Sequence, residues 1–201
     1  MRRDPVIERV GPRYWWTLLP GALLLAVLRV PSFFEPHWYT DEAGYATTAR
    51  AMLHGKVLYS QVWNNKPPLH LWTIALVVKL FGPAEWALHG LTLLSGLLAL
   101  AGLAYAATRL LSPARALAAV VVGGILLGAP IIGNELSLPE NFLIAPTAWA
   151  GAVLLTRVGG GGRWWPVAVG ALAATAIAYQ QTALADAAAF AAIIVFAGAR
   201  P

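Results

Sequence analysis

Long apolar runs separated by short polar stretches constrain this chain more than any other feature. The runs cover residues 15–34, 69–81, 86–111, 116–132, 142–156 and 164–199. The chain has 59% hydrophobic and only 11% charged residues. If these apolar runs formed the core of a soluble protein, too few polar residues would remain to form its water-exposed surface. The sequence therefore predicts an all-α polytopic membrane protein whose solvent is the lipid bilayer.

Length decides which of these runs can cross a bilayer, because a spanning helix needs about 20 residues. The run 69–81 is short and carries Lys79, so we interpret it as an interfacial helix. The run 164–199 would form a helix of roughly 54 Å at about 1.5 Å per residue, so we expect it to turn back at the polar string 179–182. This leaves about six transmembrane helices. Arg29, near the end of the first, can snorkel to the membrane surface.

Basic residues test that count independently, since Lys and Arg concentrate in cytoplasmic loops. If the N-terminus is cytoplasmic, the later arginines fall on the same side as the four N-terminal ones: Arg109, Arg115, Arg157, Arg163 and Arg200. Most acidic residues fall on the other side. We therefore predict a multi-pass plasma-membrane protein with an extracytoplasmic active site and a long first extracytoplasmic loop, residues 35–85, that carries interfacial helices.

An acidic pair, Asp41-Glu42, lies in this loop. Thr40 or Asp41 is suited to cap a helix that runs to about His54 and stops at Gly55. Backbone N–H groups and the helix dipole stabilise ionised carboxylates at that end, and an ionised acid can act as a base. Capping of a surface helix is the simpler structural interpretation of the same pair.

The string Asn64-Asn65-Lys66-Pro67-Pro68 follows about ten residues later. Its two prolines fix the backbone directly after the lysine. A fixed ammonium at the bilayer surface suits a phosphate on a lipid carrier, with the asparagines as further donors, and head-group anchoring is the alternative. A base and a phosphate ligand together would serve a displacement in which an acceptor hydroxyl loses its proton while a lipid phosphate leaves.

Two stretches, YTDEAGYATTARAMLHGKVLY and WNNKPPLHLWTIALVVKLFGPAEWALHGLTLLSGLL, resemble the GT-C membrane glycosyltransferases. The nearest group is the clan of protein O-mannosyltransferases and lipid A aminoarabinose transferases, which are similar to glycosyltransferase family 39, and the likeness covers residues 38–182. It implies a GT-C fold and transfer of a sugar from a polyprenyl-phosphate donor to a lipid, glycan or protein acceptor, usually with inversion. The expected partners are these substrates and membrane lipids, and no nucleic acid.

The same resemblance implies roles for particular residues. Asp41 matches the proposed catalytic base of the family, and Glu42 matches the neighbour that helps to organise acceptor or donor. Lys66 matches the lysine that contacts the donor phosphate, and Asn65 lies beside it in the predicted phosphate site.

A second outer string, residues 134–141, lies where related enzymes place a further acid. It makes Glu140 and Glu135 secondary candidates for binding the sugar, the acceptor or a metal, while capping of the next helix is an equal alternative for Glu140. The four histidines show no metal-ligand spacing and are expected to form interfacial hydrogen bonds. No metal ligand is assigned and no cofactor is predicted, with a divalent metal left open.

At several positions the sequence departs from the family pattern, which argues against assigning it the aminoarabinose transfer reaction. Asn65 stands where aminoarabinose transferases carry an acid, His89 where relatives commonly have arginine, and Gln180-Gln181 where they often have lysine. Relatives are usually longer, so residues 1–201 are expected to be the GT-C-like N-terminal part of a longer enzyme or a truncated product, which can be inactive alone. A non-catalytic membrane scaffold or assembly fragment is one alternative. A lipid-linked sugar transporter or flippase is another, disfavoured because the charges lie in an outer loop rather than at the midplane.

Overall fold

The computed structural model describes residues 11–35, 39–130, 133–158 and 164–198. Within these ranges the chain forms eight α-helices and no named strand, which confirms the all-α fold class. They are α1 (Pro12–Arg29), α2 (Thr40–Leu53), α3 (Pro68–Phe81), α4 (Glu85–Leu110), α5 (Pro113–Gly128), α6 (Pro139–Arg157), α7 (Trp165–Tyr179) and α8 (Leu184–Gly198). Short 3-10 turns, Val30–Phe34 and Gln181–Ala183, follow α1 and precede α8.

Two segments of the described chain are long and apolar enough to cross a membrane. They are Pro12–Phe34, which joins α1 to its 3-10 turn, and α4. The apolar helices α3, α5, α7 and α8 have 14, 16, 15 and 15 residues, fewer than the roughly 20 that a perpendicular span needs. The count of six transmembrane helices therefore stays a prediction.

Small residues bring α1 and α5 into close contact. A Cβ atom added to Gly21 would lie 2.6 Å from the carbonyl oxygen of Val120, and Gly124 faces the backbone of Gly21. Such close approach of two backbones is how helices associate in lipid, where no hydrophobic force drives them together. Helices α1, α4 and α5 thus pack against one another. Helix α6 packs on α4, and α7 packs on α6.

The acidic side chains of the described residues lie at one end of this helical bundle. Arg13, at the start of α1, donates a hydrogen bond of 2.6 Å to the carbonyl oxygen of Leu111, just after α4 ends. The start of α4 therefore lies at the other end, where α2 and α3 also pack. A buried cluster of residues from α2, α3, α4 and α6 holds them there, with Tyr45, Leu71, Ile74, Leu88 and Phe142 at its centre. We call this the acidic end.

Local structure around the helix ends confirms two sequence predictions and corrects a third. The helix expected over 40–54 forms as α2, and Gly55 follows it with a φ of +84°, the left-handed conformation that glycine tolerates best. The expected turn in 179–182 is confirmed, because α7 ends at Tyr179 and α8 begins at Leu184. The predicted cap is wrong: the N-cap residue of α2 is Tyr39, whose side chain makes no capping hydrogen bond.

The expectation for Arg29 is also wrong. Its side chain was predicted to snorkel to the membrane surface, yet the residue is only 3% exposed. It is packed inside the bundle close to Glu135, near enough for the two charges to interact. A nearby carboxylate can hold an arginine inside, since the unpaired charge would otherwise be costly to bury.

Candidate active site

Glu42, the second acid of the predicted pair, is buried and joins several elements. Its Oε1 accepts a 2.8 Å hydrogen bond from the backbone N–H of Ser137, and its Oε2 lies 3.3 Å from Nε2 of His89. The other ring nitrogen of His89, Nδ1, lies 2.6 Å from the carbonyl oxygen of Ser32. Glu42 therefore ties α2 to α4, to the turn after α1 and to the loop before α6.

The chemistry of these contacts fixes the charge state of the pair. Burial by itself raises the pKa of Glu42, but the hydrogen bonds from His89 and Ser137 outweigh burial, and the net pKa is lowered. A backbone carbonyl can only accept, so Nδ1 of His89 carries a proton, and Nε2 faces a carboxylate. Ionised Glu42 and an imidazolium at His89 thus form a buried ion pair through Oε2, while the Ser137 N–H occupies Oε1.

Asp41 precedes Glu42 in the first turn of α2, and it is exposed. Burial, followed by the charges of Asp41 and Glu140, raises the pKa of the Tyr45 phenol. The Coulombic effect requires both carboxylates to lie near that phenol. The charges in the first turns of α2 and α6 therefore both act on Tyr45.

Glu140 is bound to the end of α7. Its Oε1 accepts a 2.8 Å hydrogen bond from Nε2 of Gln180, which is 40 positions away in the chain. The alternative of a helix cap does not hold, because the N-cap residue of α6 is Leu138 and no side chain makes a capping bond there. Glu140 instead lies in the first turn of α6, where the helix dipole favours a negative charge.

Lys66 is half-buried at the start of α3, and its backbone is held on both sides. Its N–H donates to Oδ1 of Asn64 at 3.1 Å, and its carbonyl oxygen accepts from the hydroxyl of Tyr59 at 2.7 Å. Pro67 is the N-cap residue of α3 and Pro68 its first residue. The loop thus has the fixed backbone that the prolines predicted.

The charge of Lys66 acts on His70, in the first turn of α3. Burial, followed by the positive charge of Lys66, lowers the pKa of His70 to about 3, so His70 is a neutral imidazole at physiological pH. Asn65, the neighbour predicted to assist phosphate binding, is exposed in the same loop. The lysine and the exposed amide are therefore available at the acidic end.

A row of four aromatic rings in contact lies between the helices that carry the acidic residues and the helix that follows Lys66. Tyr45 meets His70 edge to face at 4.7 Å between ring centroids, His70 lies 5.4 Å from Phe142, and Phe142 stacks on Tyr179 at 5.7 Å. The hydroxyl of Tyr179 is 3.2 Å from Oγ1 of Thr73. Because the row takes one ring from each of α2, α3, α6 and α7, it joins the helices that carry Asp41 and Glu140 to the helix that Lys66 precedes.

An apolar cavity of about 310 Å³ opens beside this aromatic row. Thr73, Phe142 and Tyr179 line the cavity where it meets the row. Its other walls come from α4, α6 and α7 and are mostly aliphatic: Leu91, Leu94, Leu98, Ala145, Pro146 and Leu172. Residues 91 and 98 of α4 are separated by roughly 10 Å along the helix axis. The cavity thus extends about that far along α4, and its polar end lies at Thr73 and Tyr179.

Glu135 lies away from this region. It is 4% exposed, and its charge interacts with that of Arg29 rather than with the aromatic row. Its backbone carbonyl oxygen accepts a 3.0 Å hydrogen bond from Thr92. Of the six residues predicted for the site, Asp41 and Glu140 act through their charges on Tyr45 and Lys66 acts on His70. Asn65 is exposed in the same loop as Lys66, and Glu42 and Glu135 are buried.

The structure also forms a cluster that the sequence did not indicate. Ligand atoms of Glu42, Glu85 and His89 all lie within 4.8 Å of one another. A histidine with two carboxylates is a donor set that divalent metals accept. Here, however, Glu42 and His89 already satisfy each other, so their geometry is explained by the ion pair without a metal.

The fold and the site define a helical membrane protein with a charged site at the mouth of an apolar cavity. A family model described as dolichyl-phosphate-mannose-protein mannosyltransferase matches residues 65–201. The chain belongs to this family, so it is a membrane glycosyltransferase of the GT-C type, and the family implies a lipid-linked sugar donor and a protein acceptor in general terms. No curated protein and no solved structure matches the chain.

The matched region contains some of the site residues but not all of them. Asn65, Lys66, Glu135 and Glu140 lie inside residues 65–201, whereas Asp41 precedes them. The assignment of Asp41 depends on its motif and on its position beside Tyr45. Two contacts were not predicted from the sequence: the hydrogen bond between Gln180 and Glu140, and the ring contact between His70 and Tyr45. Only the fold brings these side chains together.

Proposed function

We propose that the protein transfers a sugar from a polyprenyl-phosphate donor to an acceptor hydroxyl at the extracytoplasmic surface of the membrane. The observation that carries the proposal is the contact between Tyr45 and His70 in an aromatic row beside an apolar cavity, because the charges of Asp41 and Glu140 act on Tyr45 and the charge of Lys66 acts on His70. A donor of this class consists of an apolar tail, a phosphate and a polar sugar. The tail would correspond to the cavity, the phosphate to Lys66 and the sugar to the acidic groups.

The apolar cavity suits the isoprenoid tail of the donor. Its walls are aliphatic and aromatic side chains of α4, α6 and α7, and apolar walls with a few polar groups at one end are typical of lipid and ligand sites. Lys66 lies two helical turns before Thr73, which lines the cavity. If the tail lies in the cavity, the ammonium of Lys66 would therefore be close enough to pair with the negative charge of the phosphate.

Asp41 is suited to act as the general base. It is exposed to an incoming acceptor and lies in the first turn of α2, where the helix dipole favours a negative charge. In the proposed step Asp41 takes the proton of the acceptor hydroxyl, and the acceptor oxygen bonds to the anomeric carbon from the side opposite the phosphate. The bond between that carbon and the phosphate oxygen breaks, and polyprenyl phosphate leaves with its negative charge facing Lys66.

The remaining predicted residues support this step. Glu42 holds the first turn of α2 through its contacts with His89 and Ser137, so it is a positioning residue for Asp41. Glu140, fixed by Gln180, presents a carboxylate to the sugar or the acceptor. Since a displacement with attack opposite the leaving group inverts the anomeric carbon, the product is expected to have the opposite anomeric configuration to the donor.

The test is transfer of labelled mannose from polyprenyl-phosphate mannose by the full-length protein in proteoliposomes. Lys66→Ala is compared with Lys56→Ala, which removes an exposed lysine from the same loop. A hydrogen bond to a charged group contributes about 1.5–3 kcal/mol, so we expect Lys66→Ala to raise the KM for the donor by about 10- to 150-fold. Lys56→Ala should change KM less than about twofold. Equal KM values for the two variants would contradict a phosphate contact at Lys66.

A further inference from the structure

Several buried side chains have polar atoms without a hydrogen-bond partner among the described residues, and three of them belong to the aromatic row or adjoin it. In these three, the unpaired atoms are the hydroxyl of Tyr45, both ring nitrogens of His70 and Oε1 of Gln180. These residues are 4%, 0% and 6% exposed. Folded proteins rarely leave buried polar atoms unpaired, so each case requires a physical reason.

The three side chains share one location. Tyr45 and His70 are neighbours in the aromatic row, and Gln180 directly follows Tyr179, the last ring of that row. Phe142 and Tyr179 also line the apolar cavity. Part of the unused hydrogen-bonding capacity of the described chain therefore lies behind the polar end of the cavity, in side chains that do not themselves line it.

The chemistry of these atoms favours a neutral hydroxyl over an anion. A neutral imidazole has one donor and one acceptor nitrogen, a phenol can donate and accept, and an amide oxygen accepts. A phosphate can only accept from this set, so it would leave the amide oxygen of Gln180 and the acceptor nitrogen of His70 without a donor. Sugar hydroxyls donate as well as accept, so they can satisfy all three side chains.

We infer that Tyr45, His70 and Gln180 form the subsite that binds hydroxyl groups of the donor sugar, which makes His70 a specificity-determining residue. The inference depends on the proposed function, because it assigns the sugar of the same donor whose tail and phosphate are placed above. Phe142 packs on His70 and lines the cavity. We therefore expect its ring to turn when a sugar reaches the buried atoms.

The test separates the sugar from its carrier. Binding of polyprenyl-phosphate mannose and of bare polyprenyl phosphate is measured with the full-length protein in nanodiscs, for the wild type, Tyr45→Phe and His70→Phe. Loss of one or two hydrogen bonds to neutral groups corresponds to about 3- to 100-fold in affinity. We expect each variant to lose that much affinity for the mannose-bearing donor and to keep its affinity for the bare carrier.

Matched variants show whether the effect is local. Tyr105→Phe removes a phenol hydroxyl near the other end of α4 and is expected to leave both affinities unchanged. Lys66→Ala is expected to weaken binding of the donor and of the bare carrier alike. Tyr45→Phe should unfold at the wild-type temperature or above it, since it removes a hydroxyl that has no partner in the ligand-free protein.

The outcomes distinguish this inference from the proposed function. If the wild type prefers the mannose-bearing donor and folded Tyr45→Phe and His70→Phe keep that preference, the subsite is overturned, and a buried water is the better explanation of the unpaired atoms. Equal binding of both lipids by the wild type would also overturn the subsite, while leaving the proposed donor class intact. Failure of the wild type to bind either lipid would overturn the proposed function as well.

Discussion

Removal of the Glu42 carboxylate tests the ion pair that positions the candidate base. In Glu42→Gln the side-chain oxygen can still accept from Ser137, so the change removes the charge that faces His89 and little else. Glu42 and His89 are both 1% exposed, and breaking one partner of a buried ion pair costs about 3–5 kcal/mol. Glu42→Ala also leaves the Ser137 N–H without its acceptor, at a further cost of about 1–3 kcal/mol.

The assay is equilibrium unfolding of the detergent-solubilised protein by denaturant, followed by circular dichroism. Asp41→Asn is the matched control, because it neutralises the adjacent but exposed acid and should change the free energy of unfolding by less than about 0.5 kcal/mol. The double variant Glu42→Leu with His89→Leu should recover only part of the loss: it removes the uncompensated charge, but it leaves the Ser137 N–H and the Ser32 carbonyl oxygen without their partners. If Glu42→Gln unfolds like Asp41→Asn, the buried pair does not hold α2 and the positioning role is refuted.

The remaining predictions concern pH and topology. The pKa of Glu42 is lowered in the folded protein, so its stabilising effect is complete above its unfolded-state pKa of about 4.3 and is lost as the pH falls through the lower folded value. Acid unfolding followed from pH 6 to pH 2 should therefore be less steep in Glu42→Gln, and an unchanged slope would count against the ion pair. The chain contains no cysteine, so Asn65→Cys and Arg115→Cys each give a single label site at an exposed position. An impermeant thiol reagent added to intact cells should label Asn65→Cys alone, and labelling of Arg115→Cys instead would invert the topology.

Periodicity and turn chemistry predicted most of the helices. The apolar runs correspond to α1 and α3–α8 within a few residues, and Gly55 and the polar string 179–182 mark chain reversals where they were expected. These features depend on neighbouring residues, so the local sequence carries the information.

The different fates of Asp41 and Glu42 could also have been foreseen. Glu42, Tyr45 and Ala49 recur at helical spacing and lie on one buried stripe of α2, whereas Asp41 is about 100° away around the helix. A paired acid therefore cannot be treated as one unit. The same spacing places His70, Leu71 and Ile74 on the buried face of α3.

The contacts between distant segments could not be predicted in this way. Glu42 and His89 are 47 positions apart, and Glu140 and Gln180 are 40 positions apart. No local pattern links such residues, because each contact depends on how α2, α4, α6 and α7 pack. The buried, unpaired atoms of Tyr45 and His70 likewise become visible only when the aromatic row is assembled.

The most direct test of the central claim is sugar transfer by an Asp41→Asn variant of the full-length protein. The measurement is the rate of mannose transfer from polyprenyl-phosphate mannose in proteoliposomes, with Asp186→Asn as the control because it neutralises an exposed acid in the first turn of α8. A general base contributes about 10²- to 10⁴-fold to a rate, so we predict a loss of that size for Asp41→Asn and wild-type transfer for Asp186→Asn. Undiminished transfer by folded Asp41→Asn would contradict the account.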